Sequence, residues 1–360
     1  MKPTQSLHEL GQSLWLDNIT RTMLRDGTLR RYIDELSITG LTSNPTIFDK
    51  AITQGEAYDE QIVELHEKDV EPEQRFFELA LTDLREAAQM FEPINQRTDR
   101  VDGWVSLEVS PLLADDAKGT IGQVADLHSR AACNIFIKIP GTEAGRVAIE
   151  ESIFAGTPVN VTLLFSADQY LGSAEAYMRG VERRIEAGLD PAVPSVASVF
   201  ISRWDVAVAD EAPADLRNQL GIAVAKDAYR TYRGLLDSER WQRLANEGAR
   251  PQRLLWASTG TKDPEASDVL YVEALVAPFT VNTMPDKTLL AFAEHGEVGE
   301  PLPADGGDAE QVLAEFEAAG IEVAGLGARL QQEGADAFDT SWSELMQSID
   351  SKSRKLAATG

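Results

Sequence analysis

Cysteine is almost absent. Cys133 is the only one in 360 residues, so no intrachain disulfide can form. Histidine is scarce too. His8, His66, His128 and His295 stand far apart, and with a lone cysteine they give no zinc-type ligand spacing; ordinary carboxylate metal sites are not excluded. No apolar run reaches the roughly 18 residues that a membrane-spanning helix needs. The opening stretch MKPTQSLHELGQSLWLDN has Lys2 but neither a long apolar core nor a small-residue cleavage site, so a cytoplasmic location is expected. Positive charge is in deficit, with 33 Lys and Arg against 59 Asp and Glu and a net charge of −26. Such a surface repels nucleic acid and anionic lipid, and neither is expected as a partner. It also repels phosphorylated metabolites at long range, so any phosphate site needs its own local cations.

What is present is ample core material: 43% of the residues are hydrophobic and 26% charged. That excludes a wholly disordered chain. The length suits about two domains, or one α/β barrel with additions. Eight short apolar segments, each ending in polar residues, organise the chain: 13–18, 38–44, 103–110, 134–140, 158–165, 195–203, 253–259 and 278–284. Most are rich in β-branched and aromatic residues, as buried strands are. Between them lie amphipathic stretches. In 73–92, Phe76, Phe77, Ala80, Leu84, Ala87, Ala88 and Phe91 recur at helical spacing behind Pro72. In 166–188, Ser166 with Gln169 three residues on predicts a capping box, and Gly188 a C-cap. Residues 205–248 predict one or two more helices, with a break at 212–213.

Strand and helix alternating eight times predicts an α/β fold, a (β/α)8 TIM barrel over 13–295. Residues 1–12 form a leading N-terminal helix in this reading. The Gly-, Pro- and acid-rich stretch 296–308 is a linker or long loop. Two additional C-terminal helices, within 309–320 and 335–356, close the chain at 360 and pack on the barrel in one domain. Oligomeric state stays open between monomer and homodimer.

In such a barrel, functional groups sit at the C-terminal ends of the strands. Lys138 lies in Ile135-Phe136-Ile137-Lys138-Ile139-Pro140, apolar on both sides. Burying an ammonium is costly, and it favours the neutral amine that attacks carbonyls. The plainer reading is a lysine that snorkels to solvent or sits in a structural ion pair. Glu108, in Val105-Ser106-Leu107-Glu108-Val109, and Asp17, in Leu14-Trp15-Leu16-Asp17-Asn18, are acids embedded in apolar strands. They are candidates for paired acid/base work around a carbonyl carbon, or else buried acids that cap a helix or pair with Lys138. Asn160 and Thr162 are two apart, so one strand face presents both to a water or hydroxyl; Thr is also an ordinary strand former. Asn44 before Pro45 is a turn signal by itself. Ser198, Phe200 and Arg203 close the sixth segment, and Ser258-Thr259-Gly260-Thr261-Lys262 the seventh. Hydroxyls, a glycine and a cation after late barrel strands suit phosphate, though an ordinary loop has the same composition.

Taken together, LWLDN, LTSNPTIF, VSLEVSP, IFIKIPGT, VNVTLLFS, SVFISR and ASTGTKDP resemble the transaldolase family, in that family's order, on seven of the eight segments and over roughly residues 12–290. The resemblance implies that Lys138 is a Schiff-base lysine. It implies that Asp17 is the acid/base at the hydroxyl next to the scissile carbon–carbon bond. Glu108, with a water held by Thr162, is the implied proton relay for imine formation. Asn44, Asn160 and Ser198 are implied contacts to substrate, Phe200 the aromatic near the reacting centre, and Arg203 the phosphate-binding arginine. Sugar phosphates are the implied small-molecule partners, with no organic cofactor and no metal. One departure stands out. The better-known branch carries Ser-x-Arg after the seventh strand, and here that register is Ser258-Thr259-Gly260; Lys262 is the nearest substitute, as a point charge. Fructose 6-phosphate aldolases share the lysine but are much shorter, with Gln matching Glu108 and Tyr matching Phe200; neither change is present. A non-catalytic sugar-phosphate binder on the same barrel is the remaining rival, since fold alone does not prove activity.

Overall fold

The computed structural model describes residues 1–358. Eight strands form one closed, all-parallel barrel in chain order: β1 Ser13–Asp17, β2 Ile38–Thr42, β3 Trp104–Glu108, β4 Ile135–Pro140, β5 Val159–Leu164, β6 Ser195–Phe200, β7 Arg253–Ala257 and β8 Val281–Met284. β1 pairs with β8, which closes the ring. The predicted (β/α)8 architecture is therefore the one observed. Nearly every strand residue is buried, because helices cover the outside and side chains fill the inside.

Which strand face points inward follows from contacts that cross the barrel. Trp15 on β1 reaches Phe136 on β4, with ring centroids 6.1 Å apart, and Phe136 stacks on Trp104 of β3 at 4.2 Å. Strands that are not neighbours can touch in this way only through the interior. The indole of Trp15 has room because β2 has Gly40 there; a Cβ would lie 2.8 Å from the ring. These aromatics plug the N-terminal half of the barrel. Period two then puts Asp17 two residues beyond Trp15, Glu108 four beyond Trp104 and Lys138 two beyond Phe136, all on the same inner face at the C-terminal end.

Several boundaries differ from the sequence expectation, each for a physical reason. The stretch before β3 holds three helices, Pro45–Thr53, Asp59–Glu67 and Pro72–Arg97, where the pattern gave only 73–92. The last of these runs through Pro93, although a proline inside a helix costs about 3 kcal/mol. Tertiary anchors hold its final turn: Ile94 is buried and Asn95 donates to the Asp102 carbonyl at 2.8 Å. The helix Ala167–Glu186 is capped by Ser166 as expected, which accepts from Gln169 N at 3.2 Å. Gln169 reaches back to Phe165 N at 2.7 Å, one residue earlier than a capping box requires, and the C-cap is Ala187 with Gly188 following at φ +68.

Residues 205–248 divide into Leu220–Asp237 and Glu239–Asn246, preceded by Ser202–Ala207. The break spans 208–219 and is held by Asp205. Its carboxylate accepts from Leu220 N at 2.9 Å, Gly221 N at 3.1 Å and the Tyr271 hydroxyl at 2.8 Å. Burial still dominates there and pushes its pKa up to about 6. Of 278–284 only Val281–Met284 is strand; Phe279 turns at φ +62 and donates its N–H to Gly11 O. In the tail, Ala309–Ala318 matches the first expected helix. The second begins far earlier than expected, running Val323–Ala357, because the Glu322 side chain caps it by accepting from Gly325 N. Both tail helices pack against the barrel assembly.

Candidate active site

Lys138 is 6% exposed and its Nζ donates to Glu108 Oε2 at 3.0 Å and to the Ser43 carbonyl at 3.1 Å. The pair arises from register, since Glu108 and Lys138 are direct partners across β3 and β4. Burial pushes the Glu108 carboxyl up, Lys138 and Arg203 oppose this, and the charge of Asp17 adds to it. A carboxyl so raised accepts a proton readily, and the ammonium beside it is the nearest source. The structural ion pair weighed against a reactive lysine in the sequence is thus present, at 3.0 Å. The second carboxylate oxygen, Glu108 Oε1, has no hydrogen-bond partner among the described residues, and neither has the buried Thr162 Oγ1.

Asp17 faces the same space. Its Oδ1 accepts from Thr42 Oγ1 at 2.7 Å, and Thr42 in turn meets Thr283 Oγ1 at 2.7 Å. Asp17 is partly open to solvent, yet protein packed around the carboxylate makes burial the leading influence, and its pKa is raised. The Thr42 hydrogen bond and the charges of Lys138 and Lys262 pull the other way, while Asp286 pushes it further up. Five charged groups from five strand ends therefore feel one another: Asp17, Glu108, Lys138, Arg203 and Lys262.

The remaining candidates fall into two groups. Asn160 lies fully buried beside Lys138 in register, donating to Ser106 Oγ at 3.1 Å and accepting from Ser198 Oγ at 2.7 Å. Its amide is thus already engaged with Ser198 and Ser106, with one N–H left over. Asn44 caps the helix Pro45–Thr53 by accepting from Ile47 N at 3.0 Å, which leaves its amide nitrogen without a partner among the described residues. Phe200 ends β6 with its ring 5.1 Å below the Arg203 guanidinium. Arg203 is half-buried and makes no hydrogen bond or ion pair with any described residue. Ser258 meets Ser202 Oγ at 2.8 Å and sits at φ +56, while Lys262 is exposed.

Some site residues escaped the sequence. Asp286 opens the helix after β8, holds Asn18 Nδ2 at 2.5 Å and acts on Asp17; an acid directly after the eighth strand was its only signal. Ser106 was legible by period two between Trp104 and Glu108. The Ser43 carbonyl was not legible, since any residue supplies one. A cavity of about 620 Å³ lies at the opposite end of the barrel, lined by Trp104, Phe136, Tyr232 and Trp241 among others. It is on the far side of the aromatic plug from Lys138.

The profile of the family described as Transaldolase/Fructose-6-phosphate aldolase matches residues 14–349. A protein of Arthrobacter sp. strain FB24 named Transaldolase is 43% identical over 359 residues, 97% of this chain and 96% of its own length. Proteins of the same name from Mycobacterium tuberculosis strain H37Rv and Thermobifida fusca strain YX are each 42% identical, covering 95% and 99% of both chains respectively.

Proposed function

This chain belongs to the transaldolase/fructose-6-phosphate aldolase family, and from that premise we propose how its residues carry the reaction. It is a transferase, moving a dihydroxyacetone unit from a ketose phosphate to an aldose phosphate in the pentose phosphate pathway. In our reading the ketose is sedoheptulose 7-phosphate or fructose 6-phosphate and the acceptor glyceraldehyde 3-phosphate or erythrose 4-phosphate. The Lys138 ammonium passes a proton to Glu108, and the neutral amine attacks the ketone carbon. A proton passes from the attacking nitrogen to the new alkoxide through a water shared with Thr162, and Glu108 then gives the proton it took to the resulting hydroxyl, which leaves as water and yields the protonated imine. Asp17 then takes the proton of the C4 hydroxyl, and the C3–C4 bond breaks. The bonding electrons move into the imine, and the aldose phosphate departs. The stabilised three-carbon carbanion adds to the aldehyde carbon of the second aldose phosphate, Asp17 returns its proton to the new C4 alkoxide, and hydrolysis frees the lysine.

The observation that carries this reading is the buried 3.0 Å Lys138–Glu108 contact within the electrostatic reach of Asp17. The unpartnered oxygens of Glu108 and Thr162 support the shared water. Arg203 and Lys262 hold the phosphate, and Asn44, Asn160 and Ser198 the sugar hydroxyls; Asn160 does so with the N–H that its bonds to Ser106 and Ser198 leave over. We place this work in the cytoplasm, on one barrel domain. No helix among the described residues is long and apolar enough to cross a membrane, and the lone cysteine, Cys133, is unpaired.

Borohydride added with fructose 6-phosphate should fix a three-carbon unit on Lys138, located by peptide mass spectrometry. No adduct, or one on another lysine, would end the scheme. In Glu108→Gln the same trapping should slow by about 10²-fold or more, while inhibition by inorganic phosphate stays as it was. Unchanged trapping would remove Glu108 from the relay.

Thr42→Val tests the tuning of Asp17. A hydrogen bond to the charged form lowers a carboxyl pKa, so losing the Thr42 hydroxyl raises it. Asp17 must be ionised to act as a base, so the acid limb of the kcat/KM profile should move to higher pH. A limb that stays in place or moves down would detach Asp17 from the base role.

A further inference from the structure

The long closing helix Val323–Ala357 does not merely pack beside the barrel. It touches the 3₁₀ turn after β3, β5 itself, and the helices that follow β2 and β6, which places it across the end of the barrel that holds Lys138. Its inner face is built from residues spaced four, three and four apart: Gly327, Gln331, Gly334 and Phe338. Gly327 offers its carbonyl to Gln169 Nε2 at 3.2 Å. Gln331 Nε2 donates to the Leu163 carbonyl at 2.8 Å, where β5 slips register and Leu163 takes φ +58. Gly334 backs directly onto Leu163 and Arg203. A Cβ there would stand 3.0 Å from Leu163 Cδ2 and 3.3 Å from Arg203 Nη1. Phe338, buried, presents its ring 5.9 Å from the Arg203 guanidinium.

Arg203 is half-buried without a hydrogen-bond acceptor among the described residues. A guanidinium has five N–H donors, and 59 acidic side chains are available to meet them, yet none does. It is held instead by two aromatic rings, Phe200 at 5.1 Å and Phe338 at 5.9 Å. Rings hold a guanidinium by its flat face and leave the edge, where the donors are, unoccupied. An anion arriving at that edge meets a fork already oriented, so less freedom is lost on binding. We infer that Phe338, with the bare backbone of Gly334 behind it, is a positioning residue that aims Arg203 at the substrate phosphate, making the closing helix part of the substrate site. The inference rests on the reading of Arg203 as the phosphate arginine. It also fits the missing second arginine: Ser258 is engaged with Ser202 and Lys262 is exposed, so the one fork must be held well.

The test uses the full chain and two substrates, fructose 6-phosphate and unphosphorylated fructose. In Phe338→Leu the ratio of kcat/KM for the two should fall about tenfold, mostly through a higher KM for the phosphate ester. Gly334→Ala should change the ratio in the same direction, and it serves alone if Phe338→Leu does not fold. In an Arg203→Ala background, Phe338→Leu should add nothing to the ratio. Equal losses on both sugars, or effects that add in the double variant, would overturn the positioning role. If Arg203→Ala by itself keeps the wild-type ratio, the phosphate assignment fails first and takes the inference with it.

Discussion

Lys138→Met loses turnover by on the order of 10⁴-fold or more, because Lys138 is the amine buried against Glu108, whereas Lys262 is exposed and charged for the phosphate. Methionine fills much of the same volume without an amine, so the pocket keeps its shape. Borohydride with fructose 6-phosphate then leaves the protein unlabelled. The same variant carries a second, independent signature. It leaves Glu108 in its buried position without the ammonium at 3.0 Å. An unpaired buried charge costs about 3–5 kcal/mol, so Glu108 keeps its proton instead wherever pH allows. Burial already holds this carboxyl above its usual range, and the opposing influence of Lys138 is now gone. A group raised in the fold gives its full stability at low pH and loses it as pH climbs through the folded value. Thermal unfolding of Lys138→Met relative to wild type should therefore worsen toward alkaline pH. A difference that is flat with pH would show that Glu108 does not depend on the lysine for its charge.

Asp17→Asn separates bond cleavage from imine formation. Asparagine still accepts from the Thr42 hydroxyl through its amide oxygen, so the side chain keeps its place. It cannot take the proton from the C4 hydroxyl. Transfer should drop by roughly 10²–10⁴-fold, the range for a lost general base, whereas borohydride still traps an intact ketose phosphate on Lys138. Loss of trapping in step with turnover would place Asp17 in the imine stage instead. Stability moves the opposite way. The raised pKa of Asp17 means that its ionised form burdens the fold at neutral pH. The neutral amide lacks that burden, so the variant should resist denaturant better than wild type at pH 7. The advantage should shrink on acidification, as wild-type Asp17 takes up its proton. An active-site acid that costs stability is what a functional placement implies.

How much of this was legible beforehand depends on distance along the chain. Eight apolar runs with polar residues at their ends declared the barrel, because a strand buried on both faces must be apolar for most of its length. Lys138, Glu108 and Asp17 were legible for the same reason, as charges in places where charge is costly. Between β2 and β3 the long helix is legible, but Pro45–Thr53 and Asp59–Glu67 are not, since short helices of mixed composition carry weak periodicity. The closing helix was read from 335 onward only, because Gly325, Gly327 and Gly334 dilute the helical pattern of its first turns. Two of those glycines lie on the face that meets the barrel, where backbone proximity, not propensity, selects them.

The sequence by itself determined the fold and which side chains would be buried, because alternation and hydrophobicity are local properties that set each residue's face. Only the tertiary structure decided who meets whom. Closure of the ring brought β1 near β4, put Asp286 beside Asp17, and laid Phe338 over Arg203 from 135 positions further along the chain. No periodicity encodes such meetings, since the pattern of a strand or helix records which way a side chain faces and not what stands opposite.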